Sequence, residues 1–238
     1  MTVWGRRDLT SFVLKEYQAV VDELHAEGIT VDRFVAGSEG EASREICEAA
    51  GWKYLETPNE PLWEKWNLLL EFVRDNDAGY DLFIPIGSDN LINAAYIRVA
   101  VSLIVGEVKF AQPDGCVYLD LMTGRSSFLK GCQGGAGRVF ARELVLRLNW
   151  NLWQENPMYS IDHWQYRLVT GILDRSKLEG RLILLPVRLA APWQLVDIKS
   201  EANIWPWTDF SPERNPACSN VDTQTYFGDY FPNCLTLL

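Results

Sequence analysis

Two different spacings of apolar residues alternate along the first ninety residues, and this alternation limits the folds open to the chain. Apolar side chains within residues 9–24 recur every three or four positions, which predicts an amphipathic helix that ends at Gly28. Further helices are predicted over residues 40–50 and 62–73, and strands over residues 29–36, 52–55 and 80–86. Strands that alternate with helices predict an α/β fold whose central sheet is mostly parallel, with helices on both faces.

After about residue 105 the spacing becomes less regular. Two strands are predicted over residues 107–111 and 116–121, joined by the turn Pro113-Asp114-Gly115. Residues 124–137 hold five glycines and are predicted as a loop, followed by helices over residues 138–148 and 161–173 and a strand over residues 181–187. From residue 192 the chain is rich in Pro, Trp and Asn, so residues 191–238 are interpreted as an irregular tail packed on a single domain of residues 1–190.

The charge of the chain bears on its partners. The formal net charge of −10, from 22 basic and 32 acidic side chains, argues against a surface built for nucleic acid or anionic membrane. The charge is uneven, however, because residues 121–190 hold 10 basic and 5 acidic side chains. An anionic partner is therefore compatible with the composition, and scattered solvated charges are the alternative.

Features that would place the chain in a membrane or an oxidising compartment are missing from the sequence. It has no apolar run of the roughly 18 residues that a membrane-spanning helix needs, and no signal peptide is visible. Its five cysteines include no CxxC pair, which favours reduced thiols over structural zinc. These features predict a cytoplasmic protein without a membrane span.

Polar side chains follow two of the predicted strands, at the edge where open α/β sheets bind ligands. Ser88, Asp89 and Asn90 come just after the strand predicted over residues 80–86, where an acidic group can hold a divalent cation or a ribose hydroxyl. Ser38 and Glu39 follow the strand predicted over residues 29–36 and suit hydrogen bonding to a base or a ribose. The alternative is that the two acidic residues only cap or favour the start of the next helix.

Two further groups of residues carry candidate chemistry. Lys65 and Asn67 lie in the first turns of a predicted helix, where a cation and an amide can bind nucleotide phosphates. Asp162 and His163 stand at the start of an aromatic helix and can form an acid/base or metal site. The alternatives are a solvated surface lysine, a helix-capping aspartate and an ordinary core or surface histidine.

The order of these groups along the chain resembles that of the GT-A nucleotide-sugar glycosyltransferases, in particular a family-2-like branch. The segments that carry the resemblance are Asn59-x-Pro61-Leu62-x-x-Lys65-Trp66-Asn67, Tyr80-Asp81, Gly87-Ser88-Asp89 and Gly135-Ala136-Gly137-Arg138. The resemblance covers about residues 1–185. It implies a GT-A, Rossmann-like fold with a nucleotide-sugar-binding half at residues 1–105 and an acceptor and catalytic half at residues 106–190.

The resemblance also implies an activity and roles for individual residues. The activity is transfer of a sugar from a nucleotide diphosphate sugar, such as a UDP-sugar, to an acceptor hydroxyl with inversion. Asp162 matches the general base of inverting members, and Arg167 matches a basic residue one turn further on. The residues that match contacts to the nucleotide-sugar donor are Glu39, Lys65, Asn67, Ser88 and Asp89. The residues at the place of the Mn²⁺ or Mg²⁺ site are Asp89, Asn90 and His163. The arginines on the acceptor side are Arg125, Arg138 and Arg142.

The sequence departs from the family pattern in two places. Position 90 carries an amide, which is a weaker ligand for a hard cation than a carboxylate, so metal affinity is expected to be low or metal dispensable. The first strand is nearly missing, because only residues 1–4 precede Gly5-Arg6-Arg7.

The acceptor and the activity class are left open by the sequence. A glycan, a lipid-linked precursor, a protein or a hydroxymethylated DNA base of a phage all fit as acceptor, and the last would place the protein in the host cytoplasm. Two other function classes also fit. One is a nucleotide- or glycan-binding protein without transferase activity. The other is a nucleotidyltransferase, which needs a glycine-rich basic phosphate loop after the first strand; Gly5-Arg6-Arg7 is a poor match to such a loop.

Overall fold

Helices and strands alternate through the first half of the chain in the computed structural model, which describes residues 1–76, 78–131, 134–155, 161–175, 182–185, 195–200 and 207–227. The elements of the first half are α1 (Arg7–Ala26), β1 (Phe34–Gly37), α2 (Glu41–Ala49), β2 (Lys53–Glu56), α3 (Leu62–Asp75), β3 (Leu82–Phe83), β4 (Asn90–Ile92) and α4 (Ala94–Val105). The remaining elements are β5 (Phe110–Pro113), β6 (Gly115–Asp120), β7 (Ser126–Lys130), β8 (Val139–Ala141), α5 (Arg142–Arg147), α6 (Ile161–Arg175), β9 (Leu182–Leu185), β10 (Leu195–Lys199), a 3₁₀ turn (Trp207–Asp209), β11 (Cys218–Val221) and α7 (Thr223–Phe227). Together they form a single α/β domain.

The predicted helices of the first half are confirmed. α1 buries an apolar face that includes Leu9, Val13, Tyr17 and Leu24, so packing against the sheet holds the helix in place. Gly28 follows its end with a φ of 81°, a conformation that glycine adopts without the steric cost of a side chain.

The nearly missing first strand is present as a segment of three residues, Met1–Val3. Thr2 forms parallel bridges to both Ala36 and Gly87, so this segment lies between β1 and the chain just before β4. β2 pairs in parallel with β1 on the far side. The spatial order is therefore β2, β1, Met1–Val3 and Gly87, which is the arrangement of one half of a doubly wound sheet.

The prediction of one mostly parallel central sheet is wrong. The described strands form a two-stranded parallel sheet, a five-stranded sheet in the order β11-β7-β6-β10-β4 and a four-stranded sheet in the order β3-β8-β5-β9. Both larger sheets are mixed, because β10 pairs antiparallel with β4 but parallel with β6, and β5 pairs antiparallel with β8 but parallel with β9. Parallel pairing is thus confined to the two-stranded sheet, the bridges of Met1–Val3 and two strand pairs.

The glycine-rich segment at residues 124–137 is only partly a loop. β7 occupies its first part and is paired along its length with β6, and the ring of Phe128 lies over Gly115, where a Cβ atom would collide with it. The helix predicted over residues 138–148 begins only at Arg142, because the preceding residues form the fully buried strand β8.

The prediction of an irregular C-terminal tail is also wrong for the part of it that the structure describes. β10 lies between β6 and β4 inside the five-stranded sheet, and Leu195, Val196 and Ile198 are buried in the main core. β11 extends the same sheet by pairing with β7. The predicted boundary near residue 190 therefore does not separate the domain from a peripheral appendage.

A large core under the five-stranded sheet and a smaller one between α3, α5 and β8 hold the elements together. Within the described ranges, no helix combines the length and the apolar character that crossing a membrane requires.

Candidate functional site

Polar side chains gather at the carboxyl ends of Met1–Val3, β1 and the strand-like segment that ends at Gly87. β1 and the Gly87 segment lie on opposite sides of Met1–Val3, so the order of the strands reverses there. An open α/β sheet leaves a crevice for a ligand where its strand order reverses. Arg6, Ser38 and Asp89 follow the three strand ends. The sequence prediction placed Ser38, Ser88 and Asp89 at this edge but did not include Arg6.

Arg6 joins the first and last of these strand ends. Its Nη1 donates to Asp89 Oδ2 at 2.6 Å, and its Nη2 donates to Ser88 Oγ at 3.0 Å. The side chains of Arg6 and Asp89 are 18% and 16% exposed, so both are reachable from solvent while the pair is held firmly. Trp4, two residues earlier in the chain, is 55% exposed. In the sequence, Arg6 stood out only as part of Gly5-Arg6-Arg7, a poor match to the basic phosphate loop of a nucleotidyltransferase.

Lys65 is buried beneath this edge rather than exposed on it. Its Nζ donates to the Val3 carbonyl at 2.9 Å, to Ser38 Oγ at 3.1 Å and to Asn59 Oδ1 at 3.2 Å. Burial lowers the pKa of Lys65 to about 8, although the charge of Glu39 acts in the opposite direction. The ammonium group therefore ties together the ends of Met1–Val3 and β1. Its predicted contact with a nucleotide stays a prediction.

Glu39 lies next to Ser38 in the exposed turn just before α2. Its carboxylate accepts a hydrogen bond from Ser43 Oγ at 3.0 Å, and the side chain stays open to solvent. The position beside the crevice is compatible with the predicted contact to a base, which stays a prediction.

Asn67 points away from this edge. Its Nδ2 donates to the Trp153 carbonyl at 2.6 Å, and its Oδ1 accepts from the Trp153 backbone N–H at 3.1 Å. The rings of Trp66 and Trp153 are stacked with their centres 5.0 Å apart beside this pair. The amide thus anchors the segment after α5, and the structure does not bring it to the other predicted donor contacts.

Asn90 closes a turn instead of facing a ligand. Its Oδ1 accepts the Gly87 backbone N–H at 2.7 Å, so the oxygen expected to ligate a metal ion is already used. β10 places Asp197 directly opposite Asn90 in the antiparallel ladder. Asp197 was missed because it lies in the segment interpreted as a tail, although the alternation of Val196 and Ile198 with polar residues is typical of a strand.

Asp197 and Lys199 form an ion pair beside the Arg6–Asp89 pair, with 3.0 Å between Lys199 Nζ and Asp197 Oδ1. Burial raises the pKa of Asp197 to about 6, and Asp89 adds to this while Lys199 and Arg6 oppose it. Lys199 also lies over the ring of Phe210, 4.7 Å from its centre. Two cations and two carboxylates therefore balance one another behind the crevice.

Asp162 belongs to a second cluster, at the start of α6. Its carboxylate accepts the Gly135 backbone N–H, and a side chain at Gly135 would collide with it. Burial raises the pKa of Asp162, while the charge of Arg138 and the Gly135 hydrogen bond act to lower it. The fold thus places Asp162 against the segment 135–138, and both had been identified as candidates from the sequence.

Arg138 is completely buried beside Asp162, so it cannot contact an acceptor substrate that binds from solvent. Its Nε donates to Gln112 Oε1 at 2.5 Å, and its Nη1 donates to the Asp162 carbonyl and to Gln165 Oε1, both at 2.6 Å. The prediction of an acceptor contact is wrong for this residue. Its guanidinium instead fixes the first turn of α6 against β5.

The other acceptor-side arginines do not form one patch with Arg138. Arg125 is exposed and ion-paired with Glu213, and Arg142 donates to the Tyr80 carbonyl at 3.5 Å. Arg125, Arg138 and Arg142 therefore have different surroundings: one is exposed, one is fully buried and one contacts a backbone carbonyl.

The residues at the place of the implied Mn²⁺ or Mg²⁺ site do not fit such an ion. Asp89 already accepts from Arg6 and Asn90 from Gly87, while His163 is exposed on α6. Among the described residues, no three His, Cys, Asp or Glu side chains are grouped so that they could hold a metal ion.

A groove of about 790 Å³ lies at the opposite ends of the strands. It is lined by residues at the amino ends of the same strands, such as Met1, Phe34 and Ile84, and by α4. It contains none of the predicted site residues. The candidate residues therefore form two groups, the Arg6–Asp89 edge and the separate Asp162 cluster.

Comparisons of the whole chain with protein-family models and with curated proteins gave no match.

Proposed function

We propose that the chain is a GT-A glycosyltransferase that moves a sugar from a nucleotide diphosphate sugar to an acceptor hydroxyl. The observation that carries the proposal is the convergence of Arg6, Ser38, Ser88 and Asp89 on the crevice between Met1–Val3 and Gly87. A nucleotide needs hydroxyl and carboxylate acceptors for its ribose, donors for its diphosphate and an apolar surface for its base. Trp4, two residues before Arg6, supplies an exposed ring.

The proposed chemistry is a single displacement with inversion. The acceptor hydroxyl attacks the anomeric carbon, its proton passes to the Asp162 carboxylate, and the bond to the diphosphate breaks with its electron pair leaving on the nucleotide. A raised pKa makes Asp162 a better proton acceptor than an ordinary aspartate, because its conjugate acid is less acidic. Arg138 positions the residue through its carbonyl and limits the rise in pKa.

A binding protein without transferase activity is the second candidate. The observation that favours it is the ion pair of Asp89 with Arg6 at the place where the related enzymes hold a metal ion. In that case nucleotide sugars would bind in the crevice but would be neither transferred nor hydrolysed. Activity with any acceptor, or slow hydrolysis of the bound donor, decides in favour of the enzyme.

Titration calorimetry with a panel of UDP-, GDP-, CDP-, ADP- and dTDP-linked sugars tests the proposal. We expect the wild-type protein to bind at least one of them and Asp89→Ala to bind it at least about tenfold more weakly. The reason is that the Asp89 carboxylate both offers an acceptor to the ribose and holds the Arg6 guanidinium in place.

The matched control is Asp75→Ala, which removes an exposed carboxylate from the last turn of α3 and should leave the affinity unchanged. Equal binding by wild-type protein and Asp89→Ala would contradict the proposed site. Failure of every nucleotide sugar to bind wild-type protein would contradict the proposed function.

A further inference from the structure

The charges at the crevice are already balanced without a metal ion. Arg6 faces Asp89 at 2.6 Å and Lys199 faces Asp197 at 3.0 Å, and the charges of Arg6 and Asp89 both act on Asp197. A divalent cation placed between the two carboxylates would therefore stand next to two positive side chains. An ion at Asp89 would also share that carboxylate with the Arg6 guanidinium, which already occupies Oδ2.

Arg6 has the chemistry that a diphosphate requires. A guanidinium carries five N–H donors in a planar fork and binds phosphate oxygens in pairs, and it never loses its charge in this pH range. Two of its nitrogens are used on Asp89 and Ser88, and the side chain remains 18% exposed. The two contacts hold the fork in place, so its remaining donors can serve a ligand without a large loss of side-chain freedom.

The position of Arg6 also suits a ligand that spans the crevice. It follows Met1–Val3 after Gly5, whose φ of 69° turns the chain back towards the Gly87 strand end. Arg7, the next residue, lies in the first turn of α1 and is exposed. Of these two arginines, Arg6 therefore faces the crevice, where it contacts Ser88 and Asp89.

We propose that this chain binds its nucleotide diphosphate without a divalent cation, and that the Arg6 guanidinium supplies the positive charge that such an ion would bring. The inference rests on the proposed function, because it concerns the same donor site. It predicts that the affinity for UDP, GDP, CDP, ADP or dTDP, whichever binds, is the same in excess EDTA as in excess Mg²⁺ or Mn²⁺.

Calorimetry of wild-type protein with these five nucleoside diphosphates, in EDTA and in either metal salt, is the experiment. We expect the affinity to agree within about twofold between buffers, to fall at least about tenfold in Arg6→Ala and to be unchanged in Arg7→Ala. Arg6→Lys keeps the charge but loses the fork, so it should bind with an intermediate affinity. Circular dichroism and thermal melting confirm that each variant is folded.

The outcomes separate this inference from the proposed function. Binding that is lost in EDTA and restored by metal would overturn the inference and leave the proposed function standing. Wild-type affinity in folded Arg6→Ala would overturn the role of Arg6. If Arg6→Ala does not fold, wild-type affinity in folded Arg6→Gln, which removes the positive charge but keeps a polar side chain, would do the same. Absence of binding in every buffer would overturn both proposals.

Discussion

Replacing Asp162 with Asn is expected to reduce the rate of sugar transfer by about 100-fold to 10,000-fold while donor affinity stays within about twofold of wild type. The amide keeps an oxygen that can accept the Gly135 N–H, so the start of α6 should retain its structure. It cannot take up the proton of the acceptor hydroxyl. The measurement is the single-turnover rate with saturating donor, together with donor affinity by calorimetry.

The pH dependence of the same reaction provides a second readout. Because burial raises the pKa of Asp162, the wild-type rate should fall as the pH drops through a value above that of an ordinary aspartate. The residual rate of Asp162→Asn should lack this acidic limb. Glu41→Gln, which changes an exposed first-turn carboxylate of α2, is the matched control and should keep both rate and profile. A transfer rate in Asp162→Asn close to wild type would contradict the assignment of the base.

Replacing Arg138 with Met is expected to lower the free energy of unfolding by about 3 kcal/mol or more. The substitution keeps much of the side-chain volume but leaves Gln112 Oε1, the Asp162 carbonyl and Gln165 Oε1 without their donor in a dry site. It also removes the positive charge that opposes the rise in the pKa of Asp162. Urea denaturation followed by circular dichroism measures the change.

Arg125→Met is the control for this effect, since the sequence analysis gave both arginines the same role. Arg125 is exposed and paired with Glu213, so its loss should cost less than about 1 kcal/mol. Arg138→Lys should recover only part of the lost stability, because an ammonium group cannot serve acceptors in three directions with the geometry of the guanidinium. Equal destabilisation by Arg125→Met and Arg138→Met would contradict the structural role of Arg138.

The helices α1, α2 and α3 could be predicted because local signals determine them, whereas α4 was not predicted. The apolar face of α1 and the glycine after its end are properties of neighbouring residues, and the same holds for α2 and α3. The sheets could not be predicted in this way. β10 contacts β4 and β6, which are far away in sequence, and nothing within five residues indicates that it enters the middle of a sheet. The glycines on either side of β7 led to the prediction of a loop, but the segment pairs with β6 and forms a strand.

The candidate site shows the same division. Ser38, Ser88 and Asp89 were found because they follow strands that the pattern identified, and the carboxyl ends of parallel strands meet at one edge. Arg6 was considered only in a poor match to a nucleotidyltransferase phosphate loop, because the strand before it is a few residues long. Asp197 was missed because its strand lies in an apparently irregular region. The difference between Arg138 and Arg125 is burial, which depends on tertiary packing and has no local signal.

A crystal structure of the wild-type protein with the nucleotide sugar that binds it most tightly would locate the donor site. We expect the diphosphate within hydrogen-bond distance of Arg6 and Ser88, with the ribose at Asp89 and the base beside Ser38. A nucleotide seated in the groove at the amino ends of the strands, or a crevice that stays empty at saturating donor, would contradict this placement.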